Sequence, residues 1–193
     1  MSGLGKRGEG LTFLHVANGR IWKNTKDAKG VVTKEDYDWI TGTIVGIALH
    51  QDTFEGNAVE KVRITMLDKE GKRYALGFSM ESYFTQTLFS RLCKIQYSTP
   101  VTIGVNASEN NEKVSFAWLR AGDDKVEKNP DFPKPTKVKV GSKELLDYAP
   151  VKEAVQKEIE RFNAFATMAS TAVGLGVVDE LTPAVDDAAD APF

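Results

Sequence analysis

The stretch Tyr37-Asp38-Trp39-Ile40-Thr41-Gly42-Thr43-Ile44-Val45-Gly46-Ile47-Ala48-Leu49 decides the fold class. It is too β-branched for a helix and too long for an average strand. Its apolar phase changes partway. Ile40 and Ile44 share one parity, whereas Val45, Ile47 and Leu49 share the other. Gly42 and Gly46 supply places for a bend or bulge at which the inward face switches. A long, bent first strand is what a small barrel needs at its corner.

Downstream, Val62-Arg63-Ile64-Thr65-Met66 alternates cleanly, Asp68-Lys69-Glu70-Gly71 makes a turn, and residues 72–79 return as a third strand. The period then lengthens. Tyr83, Leu88 and Leu92, flanked by Phe84 and Phe89, predict a helix over 80–95. Residues 101–105 and 114–119 alternate again around the polar turn 108–112. Three strands, one helix and two strands is the order of a five-stranded OB-fold barrel with its helix between strands 3 and 4. SH3-like barrels lack a helix in that place, and a sandwich wants more strands.

Upstream, residues 11–16 are strand-like and lead into Asn18-Gly19, the strongest short hairpin signal, followed by Arg20-Ile21-Trp22-Lys23. A polar connection bearing Lys23, Lys26, Lys29 and Lys34 joins this hairpin to the barrel. The expected organisation is a flexible leader over 1–10, then an OB-fold domain over 11–149 that includes the hairpin and a Lys/Pro-rich loop. An amphipathic helix follows over 150–170, with Val151, Val155, Ile159, Phe162 and Phe165 at helical spacing, and a disordered acidic tail over 171–193. The loop over 121–143 carries Pro133, Pro135, Lys134, Lys137 and Lys139, and reads equally as an extra hairpin, an arm or a strap.

Composition narrows the function. At 41% hydrophobic and 27% charged residues the chain of 193 residues buries a real core. No apolar run reaches the roughly 18 residues of a membrane span. Cys93 is the only cysteine, and His15 and His50 are the only histidines, which argues against disulfides and against cysteine or histidine metal sites. The expected compartment is a reducing cytoplasm, with no metal and no cofactor. Phosphate-binding glycine loops, zinc-protease motifs and serine-hydrolase elbows are missing, so no enzyme is expected. The net charge of -2 conceals a division: 171–193 holds five acids and no base. Taking that -5 from -2 leaves the first 170 residues at +3.

Basic residues interleaved with aromatics carry the functional expectation. With Val62, Ile64 and Met66 inward, Lys61 and Arg63 point outward from the second strand, and Trp39 points outward from the first. Arg73, Tyr74 and Phe78 on the third strand, Trp118 on the fifth and Trp22 on the hairpin complete the candidate nucleic-acid contacts. Phe116 and Trp118 share parity with Val114, which favours burial for both. The face across strands one to three of an OB-fold binds oligonucleotides, and ring stacking accepts any base. In the tail, Asp186, Asp187, Asp190, Pro192 and Phe193 form an acidic hook: a ring for an apolar pocket, acids for surrounding bases.

At these residues the sequence resembles single-stranded DNA-binding proteins. Bacterial members end in acids followed by Ile-Pro-Phe, and many bacteriophage members in acids followed by Phe. Asp190, Pro192 and Phe193 match that tip, Ala191 stands where Ile is usual, and the long Gly/Gln-rich linker of bacterial members is missing. The pattern therefore looks more like a phage protein. The resemblance implies sequence-independent binding of single-stranded DNA in replication, recombination or repair, in a host cytoplasm if phage-encoded. It also implies a tail that recruits a polymerase, helicase, primase or repair enzyme and folds back to compete with DNA. Two alternatives stand beside it, an OB-fold interaction adaptor and an RNA-binding or strand-annealing protein. A homodimer through 150–169 is compatible with the sequence.

Overall fold

The computed structural model describes residues 10–26, 29–54 and 56–173. The leader (residues 1–9) and the tail (174–193), with Asp186, Asp187, Asp190, Pro192 and Phe193, lie outside the described residues. In chain order the elements are β1 (Thr12–Ala17), β2 (Arg20–Lys26), β3 (Val32–Tyr37), β4 (Trp39–Phe54), β5 (Asn57–Leu67), β6 (Arg73–Ser79), α1 (Tyr83–Leu92), β7 (Val101–Ala107), β8 (Ser115–Ala121), β9 (Asp124–Lys125), β10 (Thr136–Val140), β11 (Lys143–Asp147) and α2 (Ala149–Val173).

The five-stranded OB-fold barrel expected from the sequence is not what these strands build. They form a nine-stranded mixed sheet in the order β3-β2-β1-β6-β5-β4-β7-β8-β9, with β10 and β11 apart as a two-stranded sheet. Five strands ordered β6-β5-β4-β7-β8 close into a barrel only if β6 meets β8. Here β1 takes the outer edge of β6 in parallel register, Leu14 beside Leu76, and β9 takes the outer edge of β8. The segment read as a Lys-rich connection is the β2–β3 hairpin, Lys23 opposite Glu35.

The sheet still curls. Asn18 and Gly19, with φ of 51° and 67°, form the two-residue β1–β2 turn, whose primed geometry demands positive φ. That turn reaches the β7–β8 end: the Gly19 N–H donates to Ser115 Oγ at 2.9 Å, and a Cβ on Gly19 would lie 2.5 Å from Ala107. Arg20 pairs with Asp38 at 3.1 Å nearby. The core lies inside the curl, where Ile21, Ile64, Met66, Leu76, Ile103 and Leu119 meet Phe84, Leu88, Phe89 and Leu92 of α1.

α1 starts where Ser82 Oγ accepts the Thr85 N–H at 3.1 Å, an ordinary N-cap. It docks on β8 through a buried hydroxyl, Thr87 Oγ1, which accepts the Ala117 N–H at 2.8 Å and donates to Tyr83 O at 2.7 Å. The buried Arg91 guanidinium donates to Val126 O (3.1 Å) and Thr87 O (2.7 Å). α2 lays Val151, Val155, Ile159 and Phe162 on the same core, with Phe162 edge-on to Tyr97 at 4.9 Å between centroids. No helix among the described residues is long and apolar enough to cross a membrane.

One polar network ties α2 to α1. Buried Glu158 accepts from the Tyr97 hydroxyl and from Arg161, whose guanidinium lies 4.8 Å from the Tyr97 ring and donates to Leu92 O at 2.9 Å. Arg161 therefore adds a second donor to the Leu92 carbonyl at the end of α1, which also accepts the Ile95 N–H at 3.2 Å. Burial, and then the bond to Glu158, push the Tyr97 hydroxyl far above its ordinary value. Replacing Glu158 by Ala leaves the buried Tyr97 hydroxyl without its acceptor, while Arg161 keeps its carbonyl partners, and is expected to lower unfolding stability by about 2 kcal/mol, read from urea denaturation followed by circular dichroism. A loss no larger than that of an exposed α2 site such as Glu160→Ala would show that the network is not a tie.

Candidate nucleic-acid interface

Opposite residues of antiparallel strands share a face, so the registers define what lies on the outer side of the sheet. One row crosses six strands: Asp36 on β3, Trp22 on β2, His15 on β1, Gly77 on β6, Arg63 on β5 and Ala48 on β4. The next row holds Phe13, Ala75, Thr65 and Gly46. On the other side Ser79, Lys61 and His50 line up. Small residues at Gly77, Ala75, Gly46 and Ala48 leave the larger side chains room to lie flat across the strands.

The rings and cations on this face are in contact. The imidazole of His15 lies 4.6 Å from the Trp22 ring, tilted by 31°. Lys34 Nζ stands 4.6 Å from the same indole, and the Arg63 guanidinium 5.2 Å from the Phe13 ring. Phe13 is 39% exposed, which is high for a phenylalanine and leaves one side of its ring to solvent. Lys61 is held by Asp52 and stands in register with His50. Rings held in place by cations are pre-organised platforms for a planar, anionic ligand.

The sequence-predicted residues divide. Trp22, Lys61 and Arg63 are brought together on this face. Trp39 is also on the outer face and 56% exposed, but although it follows Asp36 by only three residues it makes no ring or cation contact with this cluster among the described residues. It belongs with Trp118, since Trp39, Gly104 and Trp118 share one register row and Arg120 lies 5.9 Å from the Trp118 ring. Burial expected for Phe116 and Trp118 gives way to half-exposure, because Ala117 and Leu119 take the inward positions on β8. Arg73 is exposed in the row of Leu67 and Thr43, two residues short of the Phe13 row. Phe78 is corrected outright: it is 4% exposed and packs edge-on against Phe84 at 4.9 Å. Tyr74 likewise faces inward, half-buried, its hydroxyl donating to Asp68 at 3.3 Å. Phe13, His15 and Lys34 were missed by sequence reading. The two-residue turn at Asn18-Gly19 already implies that His15 faces Trp22, whereas nothing upstream announces Lys34.

The histidines report the field of the face. Burial, then the charge of Lys61, lower the pKa of His15; burial, then Arg63 and Lys61, lower that of His50. Asp52 opposes both shifts. Among the described residues no cluster of His, Cys, Asp and Glu is arranged to hold a metal. No family model, no curated protein and no solved structure matches this chain.

Because the folded state disfavours both imidazolium forms, their contribution to stability is present above the ordinary value of 6.5 and is lost as pH falls below it through the folded values. NMR titration of the two imidazoles is expected to place both below 6.5, and Lys61→Gln to move both upward. Histidines that ignore Lys61→Gln would mean the lysine is not part of the same electrostatic face.

Proposed function

We propose that this chain binds single-stranded nucleic acid, DNA foremost, without reading its sequence, and that it does so on the outer face built by Phe13, His15, Trp22, Lys34, Lys61 and Arg63. The observation that carries the reading is the contact of ring with cation across strands, Lys34 on Trp22 between neighbouring β3 and β2 and Arg63 on Phe13 across β6. Bases present their flat faces only when unpaired, and stacking supplies about 1–3 kcal/mol per base whatever the base. The cations meet phosphates. With +3 on the first 170 residues, long-range attraction is modest, so stacking and local charge share the affinity. Such a protein coats exposed strands during replication, recombination or repair and performs no chemistry on them. Recruitment of a replication or repair enzyme through Asp186, Asp187, Asp190, Pro192 and Phe193 belongs to the same proposal and rests on sequence alone.

Tryptophan fluorescence titrated with oligo-dT at two salt concentrations tests the face. Quenching is expected, and Trp22→Ala should weaken binding about tenfold, a stacking contribution of about 1.4 kcal/mol. Lys61→Gln with Arg63→Gln should weaken it further and flatten the salt dependence by roughly 0.7 per phosphate contact removed. Trp39→Ala, outside these ring and cation contacts, should change affinity less than threefold. Affinity that depends on Trp39 and ignores Trp22 would move the site to the row of Trp39 and Trp118. An RNA oligomer of equal length that competes better than DNA would replace DNA as the ligand.

The acidic segment bears on the same face. If Asp179, Glu180, Asp186, Asp187 and Asp190 compete with phosphates for it, a chain lacking 179–193 should bind oligo-dT several-fold more tightly at low salt and equally at high salt. Unchanged or weaker binding at low salt would remove competition from the proposal.

A further inference from the structure

The buried residues of β4, β7 and β8 fix a second outer surface. Ile40, Ile103, Val105, Ala117 and Leu119 face the core. Alternation then turns Trp39 and Thr41 of β4, Thr102 and Gly104 of β7, and Trp118 and Arg120 of β8 outward. Two rows result. One holds Trp39, Gly104 and Trp118; the next holds Thr41, Thr102, Arg120 and Lys125.

These rows repeat the chemistry of the Phe13–Trp22 face. The indole of Trp118 lies over Gly104, where an added Cβ would sit 2.0 Å from the ring. The backbone of β7 therefore supports one side of the indole, and the residue as a whole is half-exposed. Arg120 is exposed, stands 5.9 Å from that ring and makes no salt bridge among the described residues. Trp39 is 56% exposed on the strand flanking Gly104 on its other side. The Thr41 and Thr102 hydroxyls, 2.9 Å apart, add donors of the kind that meet phosphate. Lys125 is the weaker cation, since Glu127 holds it at 2.8 Å.

An ion pair joins the two surfaces. Arg20 shares parity with Trp22 on β2 and pairs at 3.1 Å with Asp38, the residue before Trp39. The Asp38 carbonyl accepts the Val105 N–H at 3.2 Å, which seats this junction beside β7. One guanidinium nitrogen of Arg20 reaches the carboxylate, and the fork has further N–H groups for a phosphate.

We infer that a single strand leaving the Phe13–Trp22 face passes Arg20 and continues onto the surface of Trp39, Trp118 and Arg120, so that the chain holds one strand at two stacking platforms. This rests on the proposed nucleic-acid reading and adds a second contact to it. The first face spans the four strand spacings from β3 to β5, roughly 19 Å. That is the length of about six nucleotides at the 3.4 Å spacing of a stacked strand. A strand of about sixteen has length to spare for the second platform. Once the first platform is filled, the second contact is intramolecular, so even modest stacking there raises affinity.

Oligo-dT of about six and of about sixteen nucleotides, titrated against the full chain, tests the inference. With the short strand, Trp39→Ala combined with Arg120→Gln should change affinity less than threefold. With the long strand the same pair should weaken binding about tenfold, and Arg120→Gln alone should lower the salt slope by roughly 0.7. Both side chains are exposed, so folding should survive, which circular dichroism checks. In a Trp22→Phe chain the remaining indoles are Trp39 and Trp118, and the long strand should quench them where the short one does not. Long-strand affinity that falls with Trp22→Ala yet ignores the Trp39–Arg120 pair overturns the second platform and leaves the first in place. So does equal quenching by the two lengths in the Trp22→Phe chain. Absence of binding at either length would instead sink the nucleic-acid reading itself, and this inference with it.

Discussion

Everything in this fold depends on β4 serving two sheets' worth of partners with one strand. Its first residues, Trp39 to Gly42, pair with β7, and from Thr43 onward it pairs with β5. The change of partner needs a sharp bend. Gly42 permits it, because a Cβ there would lie 2.6 Å from the Leu67 carbonyl. The bulge between Ile44 and Gly46 then turns Val45 outward, so that Ile44 and Ile47 both face the core at 4% and 5% exposure. Without that extra residue one half of β4 would present its isoleucines to water. The phase change between Ile44 and Ile47 is visible in the sequence for this reason: the core demands it.

The order of strands and α1 along 39–121 was legible, and the partnership of β6 was not. Parity shows which side of a strand faces inward, but it does not show which strand lies beside it. β1 is chosen by β6 through a non-local, parallel ladder, Thr12–His15 beside Tyr74–Gly77, and no turn links the two. The Asn18-Gly19 turn, by contrast, fixes β1 on β2 locally, and with it His15 on Trp22. β3 escaped notice because five of its six residues are exposed and the sixth is half-buried. A strand that buries nothing leaves no apolar period to read. Lys34 went unrecognised with it.

On β8, chemistry misled where geometry decided. Phe116 and Trp118 are the large residues of that strand, and size favours burial. The inward positions go to Ala117 and Leu119 because α1 comes close there, near enough for Thr87 to take the Ala117 N–H. A ring has no room between helix and strand at that distance. The indole of Trp118 instead lies over Gly104, where an added Cβ would sit 2.0 Å from it. A glycine inside a strand often marks such a close approach, and Gly104 is the signal that placed the ring outside.

The outer face is distinguished less by how much charge it carries than by what that charge touches. Lys61 rests on Asp52, so much of its field closes locally. Arg63 and Lys34 rest on Phe13 and Trp22 and, among the described residues, make no salt bridge. A ring holds a cation in place without cancelling its charge, whereas a carboxylate cancels it. A ligand must therefore be flat enough to share the rings and anionic enough to meet two cations that keep their field.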